Sequence, residues 1–246
     1  MKLGSLFDGS GGFPLAGSLF GIEPVWASEI EPFPIRVTTA RFPGMKHLGD
    51  ITKINGAEIE PVDIITFGSP CQDLSVAGKQ AGIHAGERSN LFFEAIRIIK
   101  EMRNGTSDHY PRFAVWENVP GAFSSNRGQD FKAVLQALCE AGGSNVSVPE
   151  PPKGGRWTHA GTVVGDGFSI AWRQYDAQFW GVPQRRKRIY LVTDFGSDRA
   201  GEILFEREGV CWNPAESRKA RESAAGYVTG CPDGGSWFRW MNESSF

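Results

Sequence analysis

The chain lacks most of what would assign it to the secreted, membrane or metal-dependent classes. Its four cysteines, Cys71, Cys139, Cys211 and Cys231, form no C-x-x-C pair, and its four histidines stand at no ligand spacing from them. Neither a disulfide framework nor a metal site is therefore expected. No apolar run approaches the roughly 18 residues a membrane helix needs, and no secretory leader opens the chain, so a cytoplasmic location and no membrane partner are expected. Lys and Arg number 26 against 28 Asp and Glu, a formal net charge of -2. An overall basic footprint is missing, and any nucleic-acid contact must come from local patches. No internal repeat is evident.

What is present is an alternation of short apolar runs with helical periodicities. Residues 3–7 read as a strand, DGSGG as a turn and 13–20 as a helix; 25–28 form a second strand ending at Glu29, followed by a helix over 34–42. A short segment ends at Asp50, and 62–67 is an apolar strand. Leu91, Ala95, Ile98 and Met102 recur at helical spacing, with Ser89 placed to cap. Residues 113–116 predict a strand ending at Glu117, and Phe131, Val134, Leu135 and Leu138 predict a helix that stops near Gly142. The Gly-, Pro- and Ser-rich stretch 142–167 predicts a surface insertion. Beyond it, 169–175 and 189–193 predict strands flanking the basic run 185–188.

This order implies an α/β fold, Rossmann-like, with a mostly parallel sheet and helices on both faces. Ligands of such sheets bind at the carboxyl ends of the strands, where DGSGG, Glu29, Cys71 and Glu117 all fall, with Asp50 near one. Residues 1–196 read as one domain. Residues 197–246, where periodicity fades, read as a linker or the start of an incomplete region. Cys139 on its helix is expected in the core, and His47, His84, His109 and His159 on the surface or in loops.

The glycine turn narrows the choice of ligand. A dinucleotide fingerprint starting at Gly9 and Gly11 needs a third glycine where Pro14 stands, and a P-loop starting at Gly12 needs a lysine where Ser18 stands. What remains is a nucleoside ligand without pyrophosphate. S-adenosylmethionine fits, with Glu29 on the ribose hydroxyls and Asp50 on the adenine amino group. A plain strand turn with two surface carboxylates accounts for the same residues equally well.

The stretch GSPCQDLS places Cys71 just where an apolar strand gives way to polar residues. A thiol of ordinary pKa, about 8.5, needs an electropositive setting or a stabilising partner to act as a nucleophile. Lys79, Arg88 and the run 185–188 carry suitable charge. A lone cysteine in such a place is more often structural, but this one has company. FDGSGG, GSPCQDLSVAGKQ, WENV and QRRKR occur in that order between Lys2 and about Phe195, and together they resemble the cytosine-5 DNA methyltransferase family.

The resemblance implies an S-adenosylmethionine-dependent enzyme that methylates carbon 5 of a cytosine flipped out of DNA. Cys71 would add to carbon 6 of the ring, and Glu117 would protonate ring nitrogen 3. Arg186 and Arg188 would join them, holding the cytosine carbonyl oxygen and phosphate oxygens. The implied cofactor set is Phe7, Asp8, Gly9, Gly11, Gly12, Glu29, Ile30, Asp50, Ile51, Gly68 and Pro70, with Val119 packing beside Glu117. Residues 72–87 resemble the family's mobile catalytic loop, and Gln72, Ser75, Lys79 and Arg88 would reach the DNA. RNA cytosine methylation and a non-catalytic subunit are the alternatives.

The family pattern normally continues into a target-recognition domain and then a Gly-Asn motif, and neither is visible. The expected partner is accordingly DNA, and the chain reads either as one half of a split enzyme, with a second polypeptide that supplies base reading, or as a truncated gene product.

Overall fold

The computed structural model describes residues 1–69, 91–143, 146–181 and 183–205. In chain order these form β1 (Lys2–Leu6), α1 (Gly12–Leu19), β2 (Glu23–Ser28), α2 (Pro32–Arg41), β3 (Lys46–His47) and β4 (Ile64–Phe67). There follow α3 (Leu91–Gly105), β5 (Phe113–Asn118), α4 (Gln129–Ala141), β6 (Ala160–Gly165), β7 (Phe168–Asp176), β8 (Lys187–Asp194) and α5 (Ala200–Leu204). The strands make one sheet in the order β3-β2-β1-β4-β5-β8-β7-β6. From β3 through β5 every pairing is parallel. β8 runs antiparallel to β5, and β7 and β6 continue antiparallel from it. The order reverses between β1 and β4, which opens a crevice at their carboxyl ends, where such sheets bind ligands.

Alternation along the strands sends side chains to two differently covered faces. Phe67, Ala114 and Trp116 join Phe92, Ile96 and Ile99 of α3 and Phe131, Val134 and Leu138 of α4 in the main core. The indole of Trp116 meets Phe92 edge-on, with ring centroids 6.0 Å apart. Each such buried side chain contributes roughly 1.5–3 kcal/mol. On the other face α5 rests Ala200 and Leu204 on Ala171 and Val192. α1 presses Gly17 onto Leu3, where an added Cβ would stand 3.3 Å from the leucine. Cys139 is buried, as expected, and burial pushes its thiol up to about 12.

Two expectations need correction. The stretch 142–167 is not simply a surface insertion: it contains β6, and Trp157 and Val163 within it are 2% and 1% exposed. Gly161 of β6 hides the signal, because an added Cβ would lie 2.2 Å from Trp172 on the neighbouring strand, so a core position is occupied by no side chain. His47 is not in a loop: it lies on β3, and its Nδ1 is buried. Past residue 196 the chain still packs on the sheet through α5. Ser89, His84, Cys211 and Cys231 lie outside the described residues. Among the described residues no helix is long and apolar enough to cross a membrane.

Candidate active site

The carboxyl ends of the five parallel strands carry the glycine turn, Glu29, Gly68 and Glu117, with Asp50 close by. Directly after β1 the backbone turns sharply: Phe7 has φ 55°, Gly9 56° and Gly11 82°. The left-handed values at the glycines carry no Cβ penalty, whereas Phe7 holds a conformation that ordinary side chains disfavour. The Asp8 N–H donates to Ser28 O at 3.1 Å, and Gly11 N–H to Asp8 O at 3.1 Å. These bonds fix the turn against β2. α1 then starts at Gly12 with no side-chain cap and no acid in its first turn.

Glu29, just past β2, is gripped by three backbone donors. Its Oε2 accepts from Gly9 N–H at 2.8 Å, and its Oε1 from Ile30 N–H at 2.8 Å and Glu31 N–H at 3.0 Å. A carboxylate has about four acceptor sites, so the group is oriented and keeps capacity for a hydroxyl. Asp50 is held the same way, its Oδ1 accepting from Thr52 N–H at 3.0 Å and Thr52 Oγ1 at 2.8 Å. Those bonds hold its carboxyl below the usual range. Ile30 is 66% exposed beside the turn, while Ile51 is buried in the main core.

Asp8 is different. Its Oδ1 accepts from Ser5 Oγ at 2.6 Å, but Oδ2 is sealed with no hydrogen-bond partner. Burial, with Glu29 as a weaker contribution, pushes its carboxyl up to about 6. Two acids beside the glycine turn would repel a pyrophosphate and suit a cation, so the residues fit a nucleoside carrying a sulfonium.

At the ends of β4 and β5 lies a second group. Arg188 of β8 places Nε 2.8 Å from Glu117 Oε1. Burial and the Glu117 charge push the neighbouring Tyr190 phenol up. Gly68 lets the β4 backbone approach, since a Cβ there would lie 3.2 Å from Glu117 Oε2. Ser69 is clasped from β5: Trp116 Nε1–H donates to its Oγ at 3.2 Å and Asn118 Nδ2–H to its carbonyl at 3.2 Å. The Asn118 Oδ1 accepts in turn from Val119 N–H at 2.8 Å.

The structure thus brings together Phe7, Asp8, Gly9, Gly11, Gly12 and Glu29, and separately Gly68, Glu117 and Arg188. Arg186 stays exposed, and its backbone N–H donates to Asp176 Oδ1 at 3.0 Å. Cys71, Pro70, Gln72, Ser75, Lys79 and Arg88 lie outside the described residues. Sequence reasoning missed Asn118 and Asp176. Asp176 accepts from both Gln178 and Arg186 and so ties the start of β8 to the end of β7. Asn118 stood inside WENV; Asp176 left no signal beyond an acid at a strand end.

A strand-order reversal, a glycine turn after the first strand and acids at the next strand ends place the chain among the doubly wound α/β folds that bind nucleoside ligands. Two solved methyltransferases share this fold. One, a DNA modification methyltransferase encoded within an Escherichia coli prophage, matches at TM-score 0.56 and 18% identity over 85% of this chain and 51% of its own. The other, Dnmt2 of S. pombe, matches at TM-score 0.54 and 18% identity over 79% of this chain and 50% of its own.

Residues 1–149 match the C-5 cytosine-specific DNA methylase family, and the chain belongs to it. Proteins of this family and fold depend on S-adenosylmethionine. Among curated relatives, a DNA N-6-adenine-methyltransferase of Escherichia phage P1 is 34% identical over 92% of this chain and 33% of its own length. The type II methyltransferase M.BsuFI of Bacillus subtilis is 32% identical over 76% of this chain and 37% of its own. The chain therefore spans about a third of the length of these relatives.

Proposed function

We propose that this chain is the cofactor-binding and base-modifying part of a DNA cytosine-5 methyltransferase. The observation that supports it best is the Arg188–Glu117 pair at 2.8 Å beside the clasped Gly68-Ser69 backbone. Cys71 follows Ser69 by two residues, and two residues of chain reach at most about 7 Å. Cys71 itself lies outside the described residues, and a thiol beside Glu117 is what the reaction demands. Carbon 5 of cytosine is a poor nucleophile until a thiolate adds to carbon 6. A carboxyl that donates a proton to ring nitrogen 3 eases that addition, and such assistance is worth about 100- to 10,000-fold.

In this reading Arg188 orients Glu117 and offers its remaining donors to the cytosine carbonyl oxygen, as a guanidinium fork can. Glu29 and Asp50 hold the ribose and adenine, and the turn from Phe7 to Gly12 shapes the space between them. Gly68 and Ile30 border the same space, with Pro70 holding the thiol. Bound S-adenosylmethionine supplies the methyl group as an electrophile. After carbon 5 loses its proton, the carbon 6 to sulfur bond breaks and Cys71 is released. Gln72, Ser75, Lys79, Arg88 and Arg186 contact the DNA. Residues 1–196, with α5 packed on their sheet, form the catalytic domain, and a second polypeptide supplies base reading.

The test is a covalent trap. DNA containing 5-fluorocytosine, incubated with the protein and S-adenosylmethionine, should yield an adduct stable to denaturation. Cys71→Ala should abolish it, and Glu117→Gln should slow it at least about 100-fold. An adduct that survives Cys71→Ala overturns the reading. The printed name of the phage relative motivates a second reading, adenine methylation, which labelled cofactor would reveal as label in adenine. Label in RNA cytosine would redirect the substrate.

A further inference from the structure

The carboxyl of Asp8 is the one acid at the cofactor turn that its surroundings leave half unanswered. It is 7% exposed, Ser5 satisfies Oδ1, and Oδ2 has no donor. A Cβ placed on Gly11 would lie 3.9 Å from that oxygen, so Oδ2 sits directly under the turn. Gly9, the next residue in the chain, is bonded to Glu29, which brings a second acid to the same turn.

Among the described residues, the elements packed around Asp8 bring it no cation. α1, with sequence GFPLAGSL, has no titratable side chain. α2 contributes Thr38, whose methyl would be 2.8 Å from a Gly11 Cβ; its Arg36 lies over the Phe33 ring instead, and Arg41 is at its far end. β3 contributes His47, whose Nε2 lies 3.3 Å from Thr38 Oγ1, and Lys46, which is exposed. Among the described residues no ion pair involves Asp8 or Glu29.

We propose that Asp8 makes the turn a charge sensor, favouring the sulfonium cofactor over its neutral thioether product by giving up a proton when the cation binds. The inference rests on the cofactor assignment above. S-adenosylmethionine and S-adenosylhomocysteine differ by one methyl and one positive charge. A buried carboxyl with an acidic neighbour and no counter-ion holds a proton more readily than an exposed one, and here its pKa stands at about 6. An arriving cation stabilises the ionised form, so binding below that pH expels the proton. The sign follows: affinity for the cationic cofactor strengthens as pH rises through about 6 and then levels off. Affinity for the neutral product does not follow it.

Calorimetric titration of the full chain with each compound, from pH 5 to pH 8, tests this. The ratio of product Kd to cofactor Kd should rise roughly 3- to 10-fold across that range, tenfold being the effect of one pKa unit of coupling. Proton release should appear only with the sulfonium, measured in buffers of different ionisation enthalpy. Asp8→Asn should flatten the ratio, and His47→Gln should leave it intact. A carbon-13 titration of the unaltered protein gives an independent readout: the Asp8 carboxyl should titrate near 6 and move lower with the cofactor alone. Cofactor binding with a pH-indifferent ratio, or a dependence lost in His47→Gln and kept in Asp8→Asn, overturns the role of Asp8 alone. No cofactor binding at any pH overturns the cofactor assignment as well.

Discussion

Asn118 joins chain segments 49 residues apart: it donates to Ser69 O, and it accepts from Val119 N–H, beside the Glu117 carboxyl. Asn118→Asp keeps the acceptor and turns the donor into a second oxygen facing a carbonyl. An unmet buried acceptor costs about 1–3 kcal/mol, more when charged. Denaturant unfolding should show at least that loss, and covalent trapping should fall further than stability explains, because the Ser69 carbonyl is released two residues before Cys71. A stability loss with unchanged trapping would mean that the clasp is structural only. This also explains what the sequence could and could not disclose about the site. Glu117 and Arg188, which the structure pairs, stand in the WENV and QRRKR stretches and were legible as motifs. Asn118 and Asp176 act on backbone atoms of distant residues, and no spacing rule marks such partners in advance.

Strands and helices were legible where their periodicity is carried by side chains. α3 keeps apolar residues at Phe92, Ala95, Ile96, Ile99 and Met102, all buried, and its pattern is readable directly. Two strand pairs of the sheet are built differently. Gly4 pairs with Trp26 across β1 and β2, and Gly161 pairs with Trp172 across β6 and β7. In each case the indole fills the place of the missing side chain, within 2.1 Å of a Cβ at Gly4 and 2.2 Å at Gly161. One large residue thus covers two positions, and the strand with the glycine loses its alternation. That is why β6 was hidden while β1, with Leu3 and Leu6 also buried, was not.

The same geometry makes a prediction about both strands. Gly4→Ala and Gly161→Ala must displace an indole from a packed core, and overpacking costs about 1–3 kcal/mol or more. Gly4 lies on a central strand with neighbours on both sides, β6 at the end of the sheet. Thermal melts should therefore show Gly4→Ala as the worse of the two. Equal melting temperatures in the parent and both variants would mean that the indoles have other places to go.

At the scale of the whole molecule, charge and length point the same way. A net charge of -2 gives no general attraction to DNA, and the chain spans 33% and 37% of two relatives in its family. Phosphate contacts position a protein on DNA while base contacts specify the site. Among the described residues, Arg185, Arg186 and Lys187 carry exposed positive charge at the start of β8, the strand that bears Arg188. Asp176 holds that start to the neighbouring strand by accepting from the Arg186 N–H. A cationic edge of this kind is suited to DNA phosphates. Each phosphate contact contributes a slope of about -0.9 to the dependence of log affinity on log salt. Replacing Arg185 and Lys187 together by alanine should therefore reduce the magnitude of the slope by about 2. Fluorescence anisotropy with a labelled duplex, read from low to moderate salt, measures it, and the loss should be equal for unrelated duplex sequences. A slope that does not move would place the DNA backbone on another face of the molecule. A loss confined to one sequence would mean that these cations read bases, and that the edge of β8 takes part in target choice.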